Sequence, residues 1–243
     1  MRKHEMEVEI AASPAQVWEA IATGQGITSW FCPIAEVEPG VGGKTYVKWC
    51  EGMEGTSRIE IWEPERRLQK VDDRPAPAEP SVIDYHIESR GGATVLRLVH
   101  SGFGDSANFD GEFESTGTAW PVFLQMLKHS AEQGVARCRN ITIFRMLQQP
   151  SAAAWDRLMP LIADDLASGV QRHFNAKGHC CCIEFPARQS AMLGVFCESC
   201  GGSTMLTLMW LLYGASEQEA DAVRERWTRM VESAFDLSSQ STA

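Results

Sequence analysis

The sequence predicts an α+β fold in which an antiparallel sheet wraps a long C-terminal helix, followed by a shortened second copy of that arrangement. Three observations predict it. The chain opens with period-two alternation and continues with apolar runs at hairpin spacing, then changes near residue 116 to a helical period. Beyond residue 133 the same order of signals begins again.

Glu5, Glu7 and Glu9 alternate with Met6, Val8 and Ile10, the pattern of a strand with one wet face and one buried face. Ser13-Pro14-Ala15-Gln16 then supplies an N-cap, a proline at the first helical position and a glutamine three residues after the cap. A short helix follows with Val17, Trp18 and Ile21 turned inward, and a second short helical segment ends near Trp30-Phe31. The glycine-rich stretch Pro39 to Gly43 reads as a turn, and strands are expected at 44–50, 56–63, 67–72, 81–89 and 93–101. From Thr116 the apolar residues Trp120, Phe123, Leu124 and Leu127 fall at helical spacing, and the helix ends near Gly134.

The second half opens with a strand at 140–146. Its segment Pro150 to Leu158 parallels Ser13 to Ile21 when Trp155 is aligned with Trp18. Ser216 and Glu219 form another capping box, followed by the stripe Ala220, Val223, Trp227, Met230 and Ala234. The paired tryptophans lie 137 residues apart early in the chain and 107 apart at Trp120 and Trp227, so the second copy has lost about thirty residues of meander. The domains are therefore expected at 1–133 and 134–243.

Composition narrows the function classes. The formal charge is -10, and the region to Glu132 holds 21 acidic against 12 basic residues. With no Lys/Arg cluster, neither nucleic acid nor an anionic membrane surface is an expected partner. The N-terminus lacks the apolar core of a signal peptide and no apolar run reaches transmembrane length, so a cytoplasmic setting is expected. The eight cysteines are then expected as reduced thiols.

Five segments occur in order: Ala12-Ser13-Pro14-Ala15-Gln16-Val17-Trp18-Glu19-Ala20-Ile21, Trp30-Phe31, Glu38-Pro39-Gly40-Val41-Gly42-Gly43, Trp62-Glu63-Pro64-Glu65-Arg66-Arg67-Leu68 and His100-Ser101-Gly102-Phe103, with Trp120 opening the last helix. Together they resemble the bacterial homologues of the C-terminal domain of the activator of the heat-shock-protein-90 ATPase. That family lies within the START-like, polyketide-cyclase-like SRPBCC superfamily. The resemblance covers residues 4 to about 133 and implies a helix-grip fold with a cavity between sheet and long helix. It also implies a hydrophobic small molecule as partner, with chaperone contact and a stress-response role as the alternative. The second half carries no Trp-Phe, no Pro-Gly-x-Gly-Gly and no His-Ser-Gly-Phe, so its reading as a second copy rests on the internal comparison.

Strand parity assigns inward positions: His100 shares a face with Leu96 and Leu98, and Tyr85 with Ile83 and Ile87. Tyr85 and His100 are then hydrogen-bond partners for a ligand carbonyl or hydroxyl, or His100 is a buried histidine bonded to backbone at the start of the Ser-Gly turn. Trp30, Phe31, Trp49, Phe103, Trp120 and Phe123 are either cavity lining or plain core. No nucleophile motif, HExxH or phosphate loop is present, so no catalytic residue is assigned; a polyketide-cyclase-type reaction with Tyr85 and His100 as acid and base is the third reading, and nothing in the sequence requires it. No cofactor is expected. For a metal, Cys197 and Cys200 read as half of a knuckle with Cys180, Cys182 or His179 as further ligands, against buried thiols as the alternative. Met205 to Leu212 reads as a strand covered on both faces, which makes a homodimer or a broad internal contact an expectation.

Overall fold

The alternating glutamates become β1 (Arg2–Ile10), longer at its start than the pattern required because Arg2 is held by the carbonyl of Gly104 and the carboxylate of Asp110. Ser13 caps α1 (Pro14–Ala22) with both halves of the capping box formed. Thr23 caps the short α2 (Gly24–Thr28). This computed structural model describes residues 1–73, 80–200 and 202–237. Within it the chain divides into two compact units, Met1–Arg137 and Cys138–Ala243.

In the first unit a meander follows: β2 (Ile34–Val37), β3 (Lys44–Cys50), β4 (Met53–Glu63), β5 (Arg67–Asp72), β6 (Val82–Arg90) and β7 (Ala93–Phe103). All neighbours pair antiparallel, and β1 closes the sheet against β7 in the order β1-β7-β6-β5-β4-β3-β2. The short β2 has no sequence expectation behind it, since four residues beside Pro33 carry little alternation; its pairing with β3 defines it. The long helix α3 (Asp110–Gln133) begins six residues before the expected Thr116. Tertiary contact recruits that first part: Phe113 stacks on His4 at 4.1 Å, and the carbonyl of Phe113 meets His4 Nε2 at 2.8 Å. Gly117 permits this approach, because a Cβ there would lie 2.8 Å from the His4 ring.

The second unit repeats the plan with two strands fewer. It runs β8 (Cys138–Leu147), α4 (Ser151–Leu158), α5 (Ala163–Ala167), β9 (Val170–Asn175), β10 (Cys180–Phe185), β11 (Ala191–Cys200), β12 (Ser203–Tyr213) and α6 (Glu217–Phe235). The sheet order is β8-β12-β11-β10-β9, with the first strand again paired to the last. One hydrogen bond makes the correspondence concrete. Thr94 Oγ1 donates to the carbonyl of Ala12 at 2.6 Å, and Thr204 Oγ1 donates to the carbonyl of Gln149 at 2.6 Å. Each threonine is fully buried and pairs with the last residue of its unit's first strand, Ile10 or Leu147. The preceding turns match as well, with Gly92 at φ 90° and Gly202 at φ 89°. The fold is thus a helix-grip α+β unit followed by a shortened copy.

Candidate functional site

The inner face of the first sheet follows from register. Tyr85 lies opposite Leu98 and Leu68, and Ile83 lies opposite His100 and Lys70, so these side chains share one face with Ile87 and Leu96. Against this face the rings form a continuous chain. Trp30 touches Phe31 at 5.0 Å, Phe31 stacks on Trp120 at 6.0 Å, and Trp120 meets His100 edge-on at 5.8 Å. His100 in turn lies 4.6 Å from Phe103. Phe31 also packs on Trp49 and Phe123, each at 4.9 Å.

Burial grades along this chain. Trp30, Phe103, Trp120 and His100 are buried, whereas Phe31, Trp49 and Phe123 are only half-buried although they come from a loop, β3 and α3. Three rings from three elements converge and keep part of their surface in water. Seven of the eight expected lining residues are therefore joined by ring contacts; Tyr85 stands apart, deeper in the sheet.

His100 is occupied by the protein. Trp120 Nε1 donates to Nδ1 at 2.9 Å, so the proton sits on Nε2 and is shared with Ser81 Oγ at 2.6 Å. The imidazole is neutral and both ring nitrogens are engaged.

Tyr85 and Lys70 are different. Tyr85 is 1% exposed and its hydroxyl has no hydrogen-bond partner among the described residues; burial pushes its pKa up. Lys70 is 9% exposed, places its ammonium 5.4 Å from the centroid of the Tyr85 ring, and makes no hydrogen bond or ion pair among the described residues. Desolvation lowers its pKa from 10.5 to about 8. Nearby Cys32 gives no counter-charge: its Sγ donates to the carbonyl of Ile34 at 3.1 Å, and burial raises the thiol to about 11. Burying an ammonium costs several kcal/mol, and a ring face returns only part of it, on the order of 2 kcal/mol. On the outer face of the same strand the fold does pair its charges: Arg67 donates to both oxygens of Asp84, at 3.0 and 2.7 Å, and Gln69 donates to it at 2.9 Å.

A family model described as activator of Hsp90 ATPase homolog 1-like protein matches residues 11–132, half of the chain. The chain belongs to this family. Solved structures similar to this family member include the protein MLL2253 from Mesorhizobium loti, 22% identical, with a TM-score of 0.47 over 52% of this chain and 94% of that one. The Aha1 dimer from Colwellia psychrerythraea is 22% identical, with a TM-score of 0.47 over 54% and 97% of the two chains. DynU16, from the dynemicin biosynthetic locus, is 16% identical, with a TM-score of 0.46 and 97% coverage of both chains. No curated protein matches the chain at a significant level.

Outside the matched segment, this family member carries six of its eight cysteines, the candidate metal ligands among them. Expected to bend, the Cys-x-x-Cys stretch instead continues as strand to the end of β11, so Cys197 and Cys200 take opposite faces. Cys181 and Cys197 lie in the apolar core of the second unit, while Cys180 and Cys182 point to the other face of β10. His179 sits in a left-handed turn at φ 50°. All eight thiols are free, and no group of three or more metal-ligating side chains is found among the described residues. No helix among the described residues is long and apolar enough to cross a membrane. In β12, the expected run Met205 to Leu212 is buried on both faces from Leu206 onward, and Met205 is half-buried.

Lys70 and Ser81 are residues of the candidate site that strand parity did not assign. The signal was present for Lys70, since extending the parity of Leu68 by two residues turns it inward. Lysine in a strand reads as a solvated position unless its neighbours are placed first.

Proposed function

We propose that the first unit binds a small hydrophobic molecule between its sheet and α3, as a carrier, sequestering protein or sensor. The observation that carries this reading is the convergence of Phe31, Trp49 and Phe123, half-buried, above a floor of buried rings. Aromatic surface left partly wet at the junction of three elements suits an entrance through which an apolar ligand reaches a mainly apolar site. Trp30, Phe103 and Trp120 line the floor, while His100 holds Trp120 in place through its indole N–H.

Native mass spectrometry of protein purified from cells, with a thermal-shift screen over lipids and aromatic metabolites, tests the reading. Expected are a bound mass or a ligand that raises Tm, and loss of that shift in Trp49→Ala. An empty protein that no member of the panel stabilises sinks the proposal. Family membership supports a second reading, contact with the ATPase of a heat-shock-90 homologue in the cytoplasm. A pull-down without chaperone and an unchanged ATPase rate would remove it. The oligomeric state, for which a homodimer is the expectation, is read by light scattering coupled to gel filtration.

A further inference from the structure

We propose that Lys70 and Tyr85 form the anion-binding end of the first unit's ligand site, and that its ligand is a hydrophobic acid whose carboxylate accepts hydrogen bonds from both. This rests on the reading of the first unit as a ligand site and names the chemistry of what it takes.

The two groups are diagonal neighbours on the inner face, since Lys70 pairs with Ile83 and Tyr85 pairs with Leu68. Both side chains are more than nine-tenths buried, and neither polar head has a hydrogen-bond partner among the described residues. What they offer is uniform in kind: three ammonium N–H groups and one phenolic O–H, all donors. The tyrosine ring face lies 5.4 Å from the ammonium and leaves those donors unbonded. Such a pair matches a carboxylate, which is acceptor-only and has room for two donors, and it rejects an amine by repulsion.

The second unit shows that the fold itself does not ask for these groups. There the pairing Lys70–Ile83 is replaced by Ile183–Leu193, and Tyr85–Leu98 is replaced by Val195–Leu208. Ile183 and Val195 are buried in an apolar core. A lysine and a tyrosine standing where an isoleucine and a valine suffice in the other unit point to a ligand rather than to packing.

The test uses matched acids and alcohols on the full chain at neutral pH: 2-naphthoate against 2-naphthalenemethanol, and dodecanoate against dodecan-1-ol, with affinities from titration calorimetry. At least one acid is expected to bind tenfold or more tightly than its alcohol. Lys70→Met should bring that acid down to the level of the alcohol while leaving the alcohol within twofold, and Tyr85→Phe should weaken the acid alone, by about threefold. Alcohols that bind as well as acids, or a Lys70→Met variant that weakens both alike, overturn the anion site and leave the apolar site standing. If no compound of either pair binds, both readings fail together. Should Lys70→Met not fold, the acid-to-alcohol ratio in the unmodified protein and in Tyr85→Phe decides the matter.

Discussion

The two units keep the same buried threonine bond, Thr94 to Ala12 and Thr204 to Gln149, yet differ at nearly every polar position of the inner face. Where the first has Lys70, Tyr85 and His100, the second has Ile183, Val195 and Trp210. His100 and Trp120 are joined by a hydrogen bond, whereas their counterparts Trp210 and Trp227 meet only as rings, 5.2 Å apart, with the Trp210 N–H buried and unpartnered. The difference separates two uses of one plan. In the second unit the inner face is core; in the first it is a floor of rings with polar heads that packing does not explain.

If that distinction holds, the largest loss comes from the second unit's stack. Trp210 packs against Phe185 at 5.1 Å as well as against Trp227, and all three are buried. Trp210→Ala is expected to cost about 3–5 kcal/mol, the usual range for a large aromatic removed from a packed core. Urea unfolding followed by circular dichroism reads it. A loss under about 1 kcal/mol would mean that the second inner face is not packed as a core.

Lys70→Met should move stability the other way. The folded pKa of Lys70 is about 8 against an ordinary 10.5. Below pH 8 the ammonium is charged in both states and its burial opposes folding; between about 8 and 10.5 the unfolded chain binds more protons, so the wild type gains stability as pH rises. The variant lacks this term. It should therefore be more stable than wild type at pH 7, by up to about 3 kcal/mol, with the gap closing toward pH 10.5. Cys32 and Tyr85, the titratable groups set against Lys70, have raised pKa values that work in the opposite sense but are common to both proteins. A variant less stable than wild type at pH 7 would show that Lys70 is a structural cation.

How much of this could be read beforehand follows physical lines. Both capping boxes, the strand alternation and the aromatic stripe around Trp120 are local patterns, and the structure has them where the sequence puts them. The first six residues of α3 were hidden because Phe113 is recruited by His4, more than a hundred residues earlier. β2 was hidden because an edge strand of four residues is defined by its partner. At the site, parity identified the faces of Tyr85 and His100 but not the satisfaction of His100 by Trp120 and Ser81, which needs three elements in place at once. The cysteine motif misled for a related reason: Cys-x-x-Cys describes ligand spacing in a turn, and Cys197 to Cys200 lies in a paired strand.

The shared bond gives a smaller test of the duplication itself. Thr94→Val and Thr204→Val each remove a buried donor and strand a carbonyl, at about 1–2 kcal/mol apiece. Equal losses by urea unfolding support a common frame. A loss confined to one unit would break the correspondence at the place where the two agree best.

The smallest expected effect concerns the helix that follows each first strand. Ser13 caps α1 reciprocally with Gln16, while the matching N-cap of α4 is Pro150, which offers no side-chain acceptor. Ser13→Ala should therefore cost about 1 kcal/mol. Pro150→Ser restores a cap at a residue whose φ of -62° and ψ of 150° nearly match Ser13 at -71° and 157°. It also frees the unfolded chain of a proline, a loss of about 0.4–1 kcal/mol that offsets most of the cap. The expected result is a clear loss at Ser13 beside near-neutrality at Pro150. A large gain at Pro150 would mean that the orphan N–H groups of α4 carry a strain that the shortened unit has not otherwise relieved, since a cap alone is worth no more than about 2 kcal/mol.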